Sequence, residues 1–177
     1  MQRYKIVFCG GMGSGKSQAI SSLSEIPVFA TEALNTDEEA HSKLHTTVGI
    51  DYGEITIDDA VKIGLYGTPG QSRFQFMWPT IAQGALGIVI LIDHSAENPL
   101  ADLDLYLESF VGKSERIIVI GVTHVDVSSN HSFDIYRRWL IDNKKRYPIF
   151  SVDARQKDDV LLLVETIIAS LEVQVEV

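Results

Sequence analysis

The sequence predicts an α/β fold: a doubly wound sheet of about six strands, mostly parallel, with one antiparallel edge strand and helices on both faces. Three observations carry this. Apolar runs of strand length alternate along the chain with longer helical patterns, which implies parallel crossovers. Runs such as IIVIGV are nearly all apolar, as strands covered on both faces must be. One pair of strand-like runs, 48–57 and 61–66, is separated by only Asp58-Asp59-Ala60, short enough for a hairpin and hence for an antiparallel pair.

Taken in order, residues 4–9 form the first strand, and the helical pattern from residue 16 ends at about residue 24, before Pro27. Residues 25–47 show little periodicity and read as a long surface segment, of the kind that is usually functional or mobile in a compact domain. The β-branched and aromatic hairpin follows, then a helix over 74–82 and the buried strand LGIVILID. A helix over 100–111, a strand over 116–122, a helix over 133–144, the short strand PIFSV and an amphipathic helix over 157–171 complete the pattern. In such sheets ligands bind outside the carboxyl ends of the strands, so the loops after Cys9, Tyr66, Ile92, Val122 and Val152 are the places to look.

The chain of 177 residues fits one domain, and its 45% hydrophobic and 22% charged content is that of an ordinary globular protein. A net charge of −9 argues against a surface built for nucleic acid or anionic lipid, both of which need clustered Lys and Arg. One cysteine, in an apolar strand, offers no intramolecular disulfide and fits a reducing cytoplasm. No signal-peptide pattern, spanning segment or lipidation motif is apparent, so a cytoplasmic location without a direct membrane anchor is expected. The histidines at 41, 45, 94 and 131 have no zinc spacing, and the acidic stretch 36–40 has no ligand spacing.

The strongest motif is Gly10-Gly11-Met12-Gly13-Ser14-Gly15-Lys16-Ser17, which fits G-x-x-x-x-G-K-S/T and sits where that pattern must, after a strand and opening a helix. Backbone N–H groups of Gly11 to Gln18 would turn inward around phosphate oxygens. Lys16 would reach the β and γ phosphates, and the Ser17 hydroxyl would ligate magnesium. The sheet is therefore expected to be that of a P-loop NTPase.

With this loop, the segment Thr46-Thr47-Val48-Gly49-Ile50-Asp51-Tyr52-Gly53 and the pair Gly70-Gln71 in family order, the chain resembles the Ras-like small GTPases over nearly its whole length. Gly67, Pro69 and the D-A-R run at 153–155 make it most similar to a bacterial branch akin to the gliding-motility MglA-like group. The resemblance implies that Thr47, with Thr46 as its rival, is a second magnesium ligand and γ-phosphate sensor. It implies that Gly70 offers its N–H to the γ-phosphate and that Gln71 orients the attacking water. Thr123-His124-Val125-Asp126 takes the place of the family's N-K-x-D, and Asp126 would accept from N1–H and the 2-amino group of guanine, a donor pair that adenine lacks. Asp153, Ala154 and Arg155 correspond to its S-A-K motif, in which the Ala154 N–H meets guanine O6 and Arg155 covers a base face or stays solvated. Gly67 is the departure, standing where most members carry a magnesium-holding aspartate, and Asp93 is a conceivable substitute.

The expected function is a guanine-nucleotide switch that binds GTP with magnesium and hydrolyses it slowly to GDP, with Gln71, Lys16 and Thr47 catalytic. The family resemblance further implies a regulatory partner of the Roadblock type. Gln75 to Pro79 could form an effector patch or pack inward. A non-catalytic nucleotide-binding interaction module, which Gly67 supports, is the alternative. A P-loop kinase is a third reading, weakened by the lack of an Arg-rich lid.

Overall fold

A computed structural model describes residues 2–34, 47–58, 60–110, 116–127 and 132–175. Its centre is one seven-stranded sheet made of β1 (Gln2–Gly10), β2 (Phe29–Leu34), β3 (Thr47–Asp58), β4 (Val61–Gly67), β5 (Gly87–Asp93), β6 (Ile117–Thr123) and β7 (Ile149–Ser151), in the order β2-β3-β4-β1-β5-β6-β7. β3 runs against β2 and β4, and the other pairings are parallel. The doubly wound α/β class is as the sequence predicts. The seventh strand is β2, which lies in the segment read from sequence as surface loop, so the antiparallel β3 is flanked on its outer side. The β3–β4 turn includes residue 59, outside the described residues.

Five α-helices accompany the sheet among the described residues: α1 (Lys16–Leu23), α2 (Trp78–Ile81), α3 (Pro99–Phe110), α4 (Asp134–Asp142) and α5 (Lys157–Val175). The helix expected over 74–82 is instead a 3-10 segment, Ser72–Met77, leading into the short α2. Pro79 explains the break: proline is at home in the first turn of a helix, so a new one starts there.

Alternating side chains of the central strands feed two cores. Ile6, Phe8, Leu65, Val89, Leu91 and Val119 pack with Ala19, Ile20 and Leu23 of α1 and Val160, Leu163 and Ile167 of α5. On the opposite face Cys9, Ile88, Ile90, Ile118, Ile120 and Val122 pack with Trp78, with Leu103, Tyr106 and Phe110 of α3, and with Tyr136 and Trp139 of α4. Burial raises the Cys9 thiol well above the usual cysteine range, which removes it as a nucleophile. Strand order reverses at β1, between β4 and β5, so the crevice at the carboxyl end of the sheet opens where the Gly10–Ser17 loop emerges.

Candidate functional site

The loop from β1 to α1 is shaped from within. Lys16, largely buried, donates from Nζ to the carbonyls of Gly10 at 2.8 Å and Gly11 at 2.7 Å. Burial holds its ammonium below the ordinary lysine range, and the nearby Asp51 carboxylate works against that shift. Gly15 caps α1 with φ of 98°, a conformation that glycine adopts without a Cβ clash, and makes no side-chain cap. The first turn of α1 also carries no acidic residue. A helix start without a carboxylate or side-chain acceptor over its N–H groups suits an anion.

From the other side of the crevice comes the segment after β4. A Cβ on Gly70 would lie 2.8 Å from both Lys16 Nζ and the Met12 amide nitrogen, so only glycine brings this backbone so close to the loop. Trp78 Nε1 holds the segment by donating to Pro69 O at 2.9 Å. Gln71 is half-buried at the start of the 3-10 segment and lines one cleft with Gly11, Met12, Gly70 and Arg73. Phe76, 72% exposed, is the outward member of the Gln75–Pro79 stretch, whereas Trp78 is fully buried and stacks on Tyr106. The stretch thus divides between packing and display.

A second cavity, of about 220 Å³, lies beyond the start of α1 and is lined by Gly15, Gln18, Thr123, His124, Asp126, Val127, Asp153, Ala154 and Arg155. Three loops meet there. Thr123 Oγ1 donates to Ser14 O at 2.9 Å and ties the end of β6 to the phosphate-type loop. His124 has φ of 58°, and its Nδ1 lies 3.0 Å from Asp93 Oδ1. Asp93 also accepts from the Ser95 amide and hydroxyl, so it caps its own turn and orients His124. Asp153 accepts from Arg155 at Nε, Nη2 and the amide, and these bonds hold its carboxyl at about 2. The Arg155 guanidinium is thereby fixed at the cavity rim.

Ser17, first turn of α1, donates from its hydroxyl to Asp51 Oδ2. Asp51 sits on β3 directly opposite Gly67 of β4. Sequence reasoning assigned Asp51 no role, although an aspartate within a β-branched strand is a signal in itself, because carboxylates are depleted there without a partner. Val127, at the cavity rim, was likewise missed. Thr47 is not brought to Ser17: its backbone pairs with Leu34, four residues or about 13 Å along β3 from Asp51. Its side chain, Thr46, the 36–40 stretch, His41, His45 and His131 lie outside the described residues. His94 is buried, with Nδ1 2.8 Å from the Tyr136 hydroxyl. Among the described residues no three His, Cys, Asp or Glu side chains gather as a metal cluster, and no helix is long and apolar enough to cross a membrane.

Comparison with known proteins bears on this geometry. The chain is similar to Ras-related protein Rab-1 of Theileria annulata, 29% identical over 121 residues that span 62% of this chain and 50% of that protein. It is 26% identical to Ras-related protein Rab-18 of Lymnaea stagnalis over 72% of this chain and 59% of that protein. With Ras-related protein Rab-18-B of Danio rerio it shares 21% identity over 94% of this chain and 78% of that protein. The chain thus spans only about half to three-fifths of the length of the first two relatives. Residues 28–172 match the family described as "Conserved hypothetical ATP binding protein", a match that begins after the Gly10–Ser17 loop. That match covers well over half of the chain, so the chain belongs to that family.

Proposed function

We propose that this chain is a guanine-nucleotide switch that binds GTP with magnesium and hydrolyses it slowly to GDP. The observation that carries the proposal is the pair of clefts flanking Lys16: Gly70 and Gln71 line one, and Asp126 lines the other, with the phosphate-type loop between them. Main-chain amides of Gly11 to Gln18 hold the phosphates, and Lys16 turns its ammonium from loop carbonyls toward them. Asp126 accepts the two donors of guanine, and Ala154 and Arg155 frame the base. The residues present fit a magnesium ion, since the Ser17 hydroxyl points into a site that already holds a carboxylate. When bound, such an ion supplies charge that steadies the transferring phosphoryl group. Gln71 orients the attacking water, and the γ-phosphate orders two switch segments through Thr47 and Gly70, which its loss on hydrolysis releases. The protein works in the cytoplasm and signals to a partner, of the Roadblock type by family resemblance.

Two other readings have an observation behind them. Gly67 favours a module that holds nucleotide without turning it over, and the family's description favours adenine. Single-turnover phosphate release from GTP separates the first: a rate above buffer is expected, falling on the order of 100-fold in Gln71→Ala with nucleotide binding intact. A rate equal to buffer in the unmodified protein would leave the binding module standing. Adenine is opposed by the chemistry of Asp126, because a carboxylate beside the adenine Watson–Crick edge faces the unprotonated N1.

A further inference from the structure

We infer that Asp51 is the acidic residue of the magnesium site, supplying from β3 the carboxylate that β4 lacks at Gly67; this rests on the nucleotide-binding function proposed above. Three independent geometric facts meet at one point. The β3–β4 register sets Asp51 and Gly67 directly across from each other. A Cβ on Gly67 would lie 3.2 Å from Asp51 Cβ, 3.4 Å from its Oδ2 and 3.0 Å from Ile20 Cδ1, so a side chain at 67 would press on the Asp51 side chain and on Ile20. The carboxylate so placed accepts the proton of Ser17, the residue whose oxygen would ligate the ion.

The glycine is therefore the complement of the aspartate. Two carboxylates on facing positions of adjacent strands would crowd and repel, and the chain keeps one. With its proton donated to Asp51, the Ser17 oxygen retains lone pairs for a cation, and the negative charge lies one hydrogen bond from it. This is how an outer carboxylate orients a ligand and raises its basicity. Magnesium asks little more of a protein, since phosphates and water fill most of its octahedron. Asp93, the other acid near the crevice, is committed to Ser95 and His124.

The test is the magnesium dependence of nucleotide release, followed with N-methylanthraniloyl-GDP on the intact chain. In the unmodified protein magnesium slows release with a defined midpoint. Asp51→Asn is expected to raise that midpoint roughly 10- to 100-fold while release in EDTA stays within about twofold. The exchange Asp51→Gly with Gly67→Asp returns a carboxylate from the opposite strand and is expected to recover most of the shift. It also carries the test if the single variant fails to fold. An unchanged midpoint in folded Asp51→Asn, or an exchange variant no better than Asp51→Gly alone, overturns the inference. Nucleotide bound with no magnesium dependence in the unmodified chain also overturns it, and leaves nucleotide binding intact. Failure of the unmodified chain to bind nucleotide would instead remove the function on which it rests.

Discussion

Arg155 and Asp153 form the most tightly specified side-chain pair at the rim of the cavity beside Asp126, and their ionisation is open to direct measurement. The Arg155 hydrogen bonds hold the Asp153 carboxyl at about 2, against roughly 3.9 for an unperturbed aspartate. A carboxylate with a depressed folded pKa contributes stability that is present above its unfolded value and lost as pH falls toward the folded one. The window here is thus about pH 4 down to 2. Arg155→Ala should move the Asp153 midpoint, read by NMR titration, upward toward the ordinary range; no movement would mean that the pair is not formed in solution. At this scale the sequence was readable wherever backbone and side chain act locally. Gly10 to Ser17 announce their fold by spacing, and Asp153 to Arg155 by lying two residues apart. Asp51 was not readable, because its partners Ser17 and Gly67 are set by strand register and not by distance along the chain.

Between elements, the contact of α1 with β3 fixes where Ser17 meets Asp51. Gly53 allows that contact: a Cβ there would lie 2.9 Å from Ile20 Cγ2 on the last turn of α1 and 2.7 Å from Oγ of Ser24, which caps that helix. Gly53→Ala should therefore push α1 off β3, costing about 1–3 kcal/mol of stability as overpacking does. Thermal melting checks this, and a melting temperature equal to the unmodified protein's would show that α1 yields freely. Ser24 strengthens the same seam by accepting the Glu54 amide at 3.1 Å. Elements with strong periodicity, such as β5, β6 and α5, were legible because their apolar residues repeat at a single period. β2 was not, since Phe29 to Leu34 mixes alanine and glutamate into a short run whose strand character comes from the β3 edge. The 3-10 segment was hidden for a related reason: Phe74, Trp78 and Ile81 have helical spacing across a point where the backbone changes type.

For the molecule as a whole, one sheet brings together at its carboxyl edge loops from β1, β4, β5, β6 and β7 that are spread over most of the chain. That convergence was foreseeable, because alternating strands and helices imply a parallel sheet whose switch point is the ligand crevice. The choice of base was less so, since His124 departs from the usual lysine and its pairing with Asp93 emerges only when β5 and β6 lie side by side. The central claim is a phosphate cradle at Gly10 to Ser17 with Asp126 selecting the purine. Equilibrium competition of GTP and ATP for the magnesium-loaded protein tests it most directly. An Asp126-dependent pair of charge-assisted hydrogen bonds, taken together at about 2 kcal/mol, predicts GTP bound roughly 30-fold more tightly, with Asp126→Ala erasing most of the difference. Equal affinity for the two nucleotides, or tighter binding of ATP by the unmodified chain, would contradict the account.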